Sequence, residues 1–232
     1  MKRALRFLGR SLAILLLAFV LVQAWFFAHV LWWKQNDPAS TRFMRLQLAE
    51  LRRNDPQASL LHEWVAYERI SVHLKRAVVA AEDDRFMSHK GFDWRGIQHA
   101  IERNRARGVR SAGGSTISQQ LAKNLFLSPK RSYLRKGQEA IITVMIEQTW
   151  DKRRILEVYL NVVEWGEGVF GAEAAAQRYF RVSADRLGPA EASRLAVKLP
   201  NPRRFERDFG PGMTAHAERV RQRMRASRIP PD

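Results

Sequence analysis

The chain has 232 residues and contains no cysteine. This length can bury the core of one domain without covalent cross-links, and the missing cysteines exclude zinc fingers, disulfide frameworks and thiol catalysis. Forty Lys and Arg residues against 23 Asp and Glu residues give a net charge of +17. A chain this basic favours a polyanionic partner, such as nucleic acid, an anionic membrane surface or a phosphate-bearing substrate.

A basic segment followed by an apolar one opens the chain. Residues 1–10 contain four cationic side chains and no acid, and residues 11–33 contain none that is charged at neutral pH. A helix of that length extends over about 34 Å, enough to cross the ~30 Å hydrocarbon core of a bilayer. We therefore predict a cytoplasmic tail over residues 1–10 and a transmembrane anchor over residues 11–33, with the rest of the protein outside.

A cleaved signal peptide is the alternative, because Val22, Gln23 and Ala24 would serve as a cleavage site. The apolar run continues for nine residues beyond Ala24 and includes bulky aromatic side chains, which favours a retained anchor. In either case the body of the protein is exported. Export argues against nucleic acid as a partner and favours phosphates carried by the membrane.

The segment after the anchor, residues 34–57, is polar and contains two Asp-Pro turn signals. We interpret it as a juxtamembrane connector with a short helix around residues 43–53. In residues 58–228 apolar side chains recur at helical spacing and alternating β patterns are scarce. The stripes are Leu74, Ala77, Val78 and Ala81; Ile141, Val144 and Met145; Ile155, Leu156, Tyr159, Leu160 and Val163; and Ala172, Ala175, Ala176 and Tyr179. The pattern predicts one all-α domain that ends in a basic helix over residues 216–228.

Three consecutive acids, Glu82, Asp83 and Asp84, follow the first of these stripes. A carboxylate beside an apolar helix can be partly desolvated, and desolvation raises its pKa towards the range of a general base. The alternative is a solvated acidic helix end.

Paired glycines at residues 113 and 114 lead into a second candidate segment. Thr116 and Gln119 are spaced as a capping box, and the free N–H groups of such a helix N-terminus form an anion site. Thr116, Gln120 and Lys123 would then share one helix face, which suits a phosphate or a sugar. A well-capped surface helix is the alternative reading.

Two basic segments follow. Arg135 and Glu139 are four residues apart, so they form either a surface ion pair or, with Lys136, a diphosphate clamp beside a second acid. At residues 152–154 we predict a solvated basic helix end, and for Tyr159 the spacing favours packing over a role in a site. The histidines lack metal-ligand spacing.

In this order, the segments resemble glycosyltransferase family 51, the peptidoglycan glycosyltransferases. The matching blocks read EDDRFMSHKGFD, GGSTISQQLAKNLFL, RKGQE, KRRILEVYLN, GVFGAEAAAQRYF and LAVKLPNP. The resemblance implies a lysozyme-like all-α glycosyltransferase domain over residues 58–228, with residues 34–57 as connector or part of a small jaw lobe. It also implies a location in the cell inner membrane, single-pass, with a periplasmic catalytic domain.

The resemblance further implies the reaction. Lipid II is polymerised into glycan strands with inversion at the C1 atom of MurNAc and release of undecaprenyl diphosphate. By motif position Glu82 resembles the general base, and Glu139 resembles a second essential glutamate near the donor diphosphate. The implied substrate-binding residues are Asp83, Phe86, His89, Thr116, Gln120, Lys123, Arg135 and Lys136. The implied partners are lipid II, the growing lipid-linked strand and the membrane, with cell-wall synthesis or division proteins as further candidates.

No cofactor is implied. A divalent metal such as Mg²⁺ on Asp83 and Asp84 is a weaker alternative to a structural role for these two acids. Two rival functions stay open at this point. A lysozyme-like lytic transglycosylase would cut glycan strands and would have no use for a diphosphate clamp, and a non-catalytic envelope scaffold would bind partners through its basic helices.

Overall fold

The computed structural model of the protein describes residues 2–108, 113–130 and 132–232, so that residues 109–112 and 131 of the predicted domain, and Met1 of the predicted tail, lie outside it. The chain divides into two compact units after Asp37. The α-helices are α1 (Lys2–Trp33), α2 (Arg42–Asn54), α3 (Val72–Glu82), α4 (Trp94–Arg107), α5 (Ile117–Phe126), α6 (Tyr133–Thr149), α7 (Lys152–Val162), α8 (Ala172–Phe180), α9 (Pro189–Ala196), α10 (Pro202–Arg207) and α11 (Pro211–Arg223).

The first unit is dominated by α1, which contains the predicted anchor. The segment from Arg6 to Trp33 is long enough and apolar enough to cross a membrane. Large apolar side chains such as Leu15, Leu16 and Phe19 are exposed along it. An apolar helix with so many exposed side chains is unfavourable in water and favourable in hydrocarbon.

The second unit is mostly helical, but the all-α prediction was wrong in one respect, since a small three-stranded sheet is present. Its strands are β1 (Leu61–His62), β2 (Glu164–Gly166) and β3 (Val169–Phe170). β3 lies in the centre, parallel to β1 and antiparallel to β2, with an irregularity between Glu164 and Gly166. Strands of two or three residues are too short to show an alternating pattern in the sequence.

The predicted helices are present, with two corrections. The face of α6 that packs inwards carries Ile142, Thr143 and Ile146, whereas Ile141 and Val144 of the predicted stripe are exposed. The basic C-terminal helix starts earlier than predicted, at Pro211, and ends at Arg223, where a 3-10 turn (Met224–Ala226) follows. Proline at the first helical position explains the early start, because its missing N–H is not needed there.

The core of the second unit is centred on α7, of which residues 155–162 are all buried. α5 packs against α6 and α7, and α3 packs against α9. Gly171 links β3 to α8 with a φ of 84°, and a side chain there would approach the carbonyl oxygen of Asn161 to 2.8 Å. Only glycine accommodates both constraints, so the end of α7 and the start of α8 can meet closely.

Candidate active site

A cavity of about 880 Å³ opens beside the N-terminal half of α6. Helices α5 and α6 contribute polar and charged side chains to its lining: Gln120, Lys123, Arg135, Lys136 and Glu139. A different part of the lining comes from β2 and from the chain around α10: Glu164, Leu199, Pro200 and Pro202. The cavity thus combines a charged region with a mainly apolar one.

Glu139 is the centre of the charged region, and its side chain is only 4% exposed. Arg135 donates from Nη1 to Glu139 Oε2 at 2.8 Å, and Lys136 donates from Nζ to Glu139 Oε1. The spacings of four and three residues on α6 place both cations on the same face as the carboxylate. The predicted pair of Arg135 and Glu139 is therefore present, and it lines a cavity.

Lys123 joins this cationic cluster from α5. Burial lowers its pKa, Glu139 counteracts that effect and the Arg135 guanidinium adds to it. With Arg135 and Lys136, it gives the cavity three cationic side chains around one carboxylate. Such a set stabilises negative charge that develops on a bound group, because charge-assisted hydrogen bonds are strong where water is excluded.

Glu82 is the last residue of α3 and interacts electrostatically with Lys123 of this cluster. Gln120 donates from Nε2 to Glu82 Oε2 at 2.6 Å and accepts from the Tyr159 hydroxyl at 3.0 Å through Oε1. The Tyr159 contact thereby fixes which end of the amide faces Glu82. Burial raises the pKa of Glu82, whereas the Gln120 hydrogen bond and the Lys123 charge lower it. Gln120 and Lys123 line the cavity, so they connect it to the carboxylate.

Asp83 ties the end of α3 to the start of α5. Its Oδ2 accepts from the backbone N–H of Ile117 at 3.0 Å, and its Oδ1 is 2.8 Å from Nε2 of His89. The predicted anion site at this helix N-terminus is thus filled by a carboxylate of the chain itself. Asp83 therefore contributes a carboxylate to the helix end for which the sequence predicted an anion site.

Thr116 and Phe86 also support the site from outside the cavity lining. Thr116 caps α5 in the predicted capping box, is buried, and donates its hydroxyl to the carbonyl oxygen of Gly91 at 2.7 Å. Phe86 is fully buried and lies edge-on to His89. These two residues, like Asp83, hold the turn before α4 against α5.

The predicted basic end of α7 is not simply solvated. Lys152 is 18% exposed, pairs with Glu147 of α6 at 2.8 Å and lies over the Phe86 ring. The Ser118 hydroxyl of α5 donates to the same Glu147 carboxylate. This buried network joins α5, α6 and α7 and holds the helices that carry the cationic cluster.

The acids near α3 do not fit a metal centre. Both carboxylate oxygens of Asp83 already have hydrogen-bond partners, Ile117 N–H and the His89 ring. Asp84 is exposed to solvent, and the Arg223 guanidinium lies 3.9 Å from it. Among the described residues no group of three or more His, Asp or Glu side chains is placed to hold a metal ion. We therefore derive no step through a metal.

Glu164 is a cavity residue that the sequence did not single out. It is buried on β2 and accepts from Nε of Arg203 at 2.9 Å. Burial raises its pKa to about 7, in spite of the opposing Arg203 charge. The sequence did contain a signal for a buried carboxylate here, because Glu164 directly follows the apolar residues Val162 and Val163. Tyr159 was also missed as a contact of the site, since its packing role was predicted correctly but its hydrogen bond to Gln120 was not.

Comparison with known proteins finds the family described as Transglycosylase over residues 49–227. The biosynthetic peptidoglycan transglycosylase of Aromatoleum aromaticum is 65% identical over 230 residues, which cover 99% of this chain and 100% of the relative. The protein of the same description from Azoarcus sp. is 64% identical over 231 residues and 100% of both chains. That from Dechloromonas aromatica is 54% identical, over 97% of this chain and 100% of the relative. The matched range contains Glu82, Glu139 and the whole lining of the cavity except Phe43.

Proposed function

Since the chain belongs to the transglycosylase family and is a peptidoglycan glycosyltransferase that polymerises glycan strands, we propose that it takes lipid II as its substrate in the cavity that α5 and α6 help to line. The main supporting observation is that Arg135 and Lys136 pair with Glu139 in the cavity lining, where Lys123 interacts electrostatically with both Glu139 and Glu82. In this proposal the cationic cluster holds the diphosphate of the donor. A diphosphate leaves readily when its developing charge is stabilised, so the reaction needs a base more than a strong acid.

Glu82 is the base in this proposal. Its carboxylate takes the proton from the 4-hydroxyl of the incoming GlcNAc, and the resulting oxygen attacks C1 of the lipid-linked MurNAc. The C1–O bond to the diphosphate breaks, its electron pair stays on the diphosphate, and configuration at C1 inverts. A partly buried glutamate with a raised pKa supports this role, since a base is most effective when its pKa lies near the working pH.

The remaining predicted residues divide into two groups. Gln120, Arg135 and Lys136 are proposed to contact the donor, because they line the cavity. Asp83, Phe86, His89 and Thr116 are proposed to act through the position of Glu82 and α5 and not by touching substrate, since their contacts are within the protein. We derive no role in the chemistry for a metal.

We further propose that α1 is a retained anchor in the cell inner membrane, with residues 1–10 in the cytoplasm and the second unit in the periplasm. The apolar length of α1 and its basic start support this orientation. For the rest of the chain, we propose a lysozyme-like lobe over residues 58–228 and a jaw lobe that includes residues 34–57.

The deciding experiment is polymerisation of labelled lipid II by the intact protein in detergent, followed by muramidase digestion of the product. The proposal expects a muramidase-sensitive polymer and release of undecaprenyl diphosphate. A parallel incubation with purified sacculi tests the lytic alternative, which expects release of muropeptides. Muropeptide release without polymer would overturn the proposal.

A further inference from the structure

A second buried carboxylate, Glu164, lines the same cavity as the cationic cluster but belongs to other elements. It is the first residue of β2, and its side chain is 8% exposed. The lining also contains the apolar residues Val163, Leu199, Pro200 and Pro202. Its pairing with Arg203 offsets part of the cost of burying the carboxylate, and its place in the lining leaves it accessible to a ligand in the cavity.

The charges around Glu164 leave it with capacity to accept further hydrogen bonds. Arg203 of α10 approaches it at 2.9 Å, and the same guanidinium lies 3.6 Å from the exposed Glu50 of α2. Glu167 after β2 and Tyr179 of α8 are the other titratable groups that interact with it. One shared cation cannot saturate the lone pairs of two carboxylates, since an ionised carboxylate accepts about four hydrogen bonds.

The cationic cluster on α5 and α6 suits the diphosphate better than this region does, because Arg203, the cation beside Glu164, is already paired with the carboxylates of Glu164 and Glu50. Apolar side chains that flank one fixed acceptor suit a sugar, whose ring offers C–H surface and whose edge carries hydroxyl and acetamido donors. We propose that Glu164 is a substrate-binding residue that accepts hydrogen bonds from a hydroxyl or acetamido N–H group of the saccharide. The inference rests on the proposed function, since it requires a disaccharide in this cavity.

The test compares two carboxylates that share Arg203. Glu164→Gln removes the charge that lines the cavity, and Glu50→Gln removes the exposed charge outside it. Steady-state polymerisation by the full chain is measured over a range of lipid II concentrations. We expect Glu164→Gln to raise KM by about fivefold with kcat changed by less than about twofold, because a neutral acceptor forms a hydrogen bond of about half the strength. Glu50→Gln should leave both constants unchanged.

A pH series adds a readout that a purely structural role would not move. Glu164 binds donors best when ionised, so the wild-type KM should fall as the pH rises through about 7. This fall should be missing in Glu164→Gln. Arg203→Gln should move it to higher pH, because removing the cation raises the pKa of Glu164 further. Any pH dependence of KM that wild type and all variants share is assigned to other titrating groups, such as Glu82 and Lys123.

Three outcomes would overturn the inference. A KM in Glu164→Gln equal to that of wild type, or equal to that of Glu50→Gln, would remove Glu164 from the binding surface. A collapse of kcat with unchanged KM would make it part of the chemistry instead. An effect that disappears with a lipid-linked disaccharide lacking the peptide would assign it to a peptide ammonium group. If wild type forms no polymer at all, the proposed function fails, and that result is distinct from these three.

Discussion

At the scale of single residues, the environment of Glu82 supports its proposed role as the base. Burial raises its pKa, while Gln120 and Lys123 act in the opposite direction. Glu82→Gln keeps the shape and loses the proton acceptor, so we expect polymerisation to slow by about 10²–10⁴-fold. Binding of lipid II, measured directly, should stay near the wild-type value because the cationic cluster is intact. Near-normal polymerisation by this variant would exclude Glu82 as the base.

The same carboxylate predicts the pH dependence of rate and stability. Activity should fall as the pH drops through the raised pKa of Glu82, and it should fall again at alkaline pH as Lys123, with its lowered pKa, loses its charge. A raised pKa means that Glu82 contributes stability below its unfolded pKa, which is lost as the pH rises through its folded pKa. Glu82→Gln should therefore gain stability over wild type at alkaline pH and match it in acid, as measured by urea unfolding.

Glu139 has a matched control on its own helix. Glu139 and Glu147 both lie on α6 with side chains 4% exposed, and both hold a lysine. Only Glu139 lines the cavity. We expect Glu139→Gln to weaken lipid II binding by about tenfold or more, because Arg135 and Lys136 lose the acceptor that positions them and a strong hydrogen bond is worth about 1.5–3 kcal/mol. Glu147→Gln should lower the melting temperature without weakening binding, because its partners Ser118 and Lys152 lie outside the cavity.

Binding and melting temperature should be measured on the same preparations of these two variants. Equal losses of binding would show that Glu139 acts through the packing of α6. The comparison with Glu82→Gln is equally informative: that variant should lose rate and keep binding, whereas Glu139→Gln should lose both.

At the scale of secondary-structure elements, Asp83 is the joint between α3 and α5. Its buried carboxylate binds the N-terminal N–H of Ile117 and the His89 ring, whereas the neighbouring Asp84 is exposed. Asp83→Asn should reduce the free energy of unfolding by about 1–2 kcal/mol, because a helix N-terminus loses its anion and a buried charge-assisted contact weakens. Asp84→Asn should change it by less than about 0.5 kcal/mol. Urea unfolding checks both, and a larger loss in Asp84→Asn would contradict this account.

The helices that the sequence predicted are those with a local signal of their own. Thr116 and Gln119 form the predicted capping box, and Ile155, Leu156 and Tyr159 of a predicted stripe are buried on α7. The inward face of α6 was predicted wrongly, because the buried face carries Glu139 and Thr143 while Ile141 is exposed. Hydrophobic periodicity assumes that burial follows polarity, and a charged cavity on the inner face breaks that assumption.

The site was predictable only where its residues lie in one segment. The spacing of Arg135 and Glu139 places both on one helix face, and the structure has them paired. The link from Tyr159 through Gln120 to Glu82 joins three helices, and no local pattern reports it. Glu164 was missed for the same reason, because its partner Arg203 is 39 residues away in the chain.

At the scale of the whole molecule, the C-terminal residues are tied to the core of the second unit. Lys75 of α3 is fully buried, pairs with Asp232 and lies 3.8 Å from the centre of the Tyr67 ring. The Tyr67 hydroxyl donates to the carbonyl oxygen of Pro230 at 2.9 Å. A buried lysine is costly unless it is paired, so these contacts fix the end of the chain against α3, the helix that ends at Glu82.

Helix α1 is expected to speed polymerisation by tethering the protein to the membrane. Lipid II is confined to the membrane, so an enzyme tethered there meets it at a higher effective concentration than one in solution. A version that begins at Lys34 should unfold at the same temperature as the second unit of the full chain, because nearly all of the buried apolar side chains in the described part of the chain lie after Asp37. In liposomes that contain lipid II it should polymerise more slowly than the full chain.

A chimaera with an unrelated apolar transmembrane helix before Lys34 separates tethering from any specific role of α1. Recovery of the full rate by the chimaera would assign the effect to tethering. A persistent deficit would assign part of it to the side chains of α1, above all the aromatic residues near its end, which suit the outer interface of the bilayer. If the version that begins at Lys34 is already as fast as the full chain in liposomes, the anchor does not contribute to activity in the way proposed here.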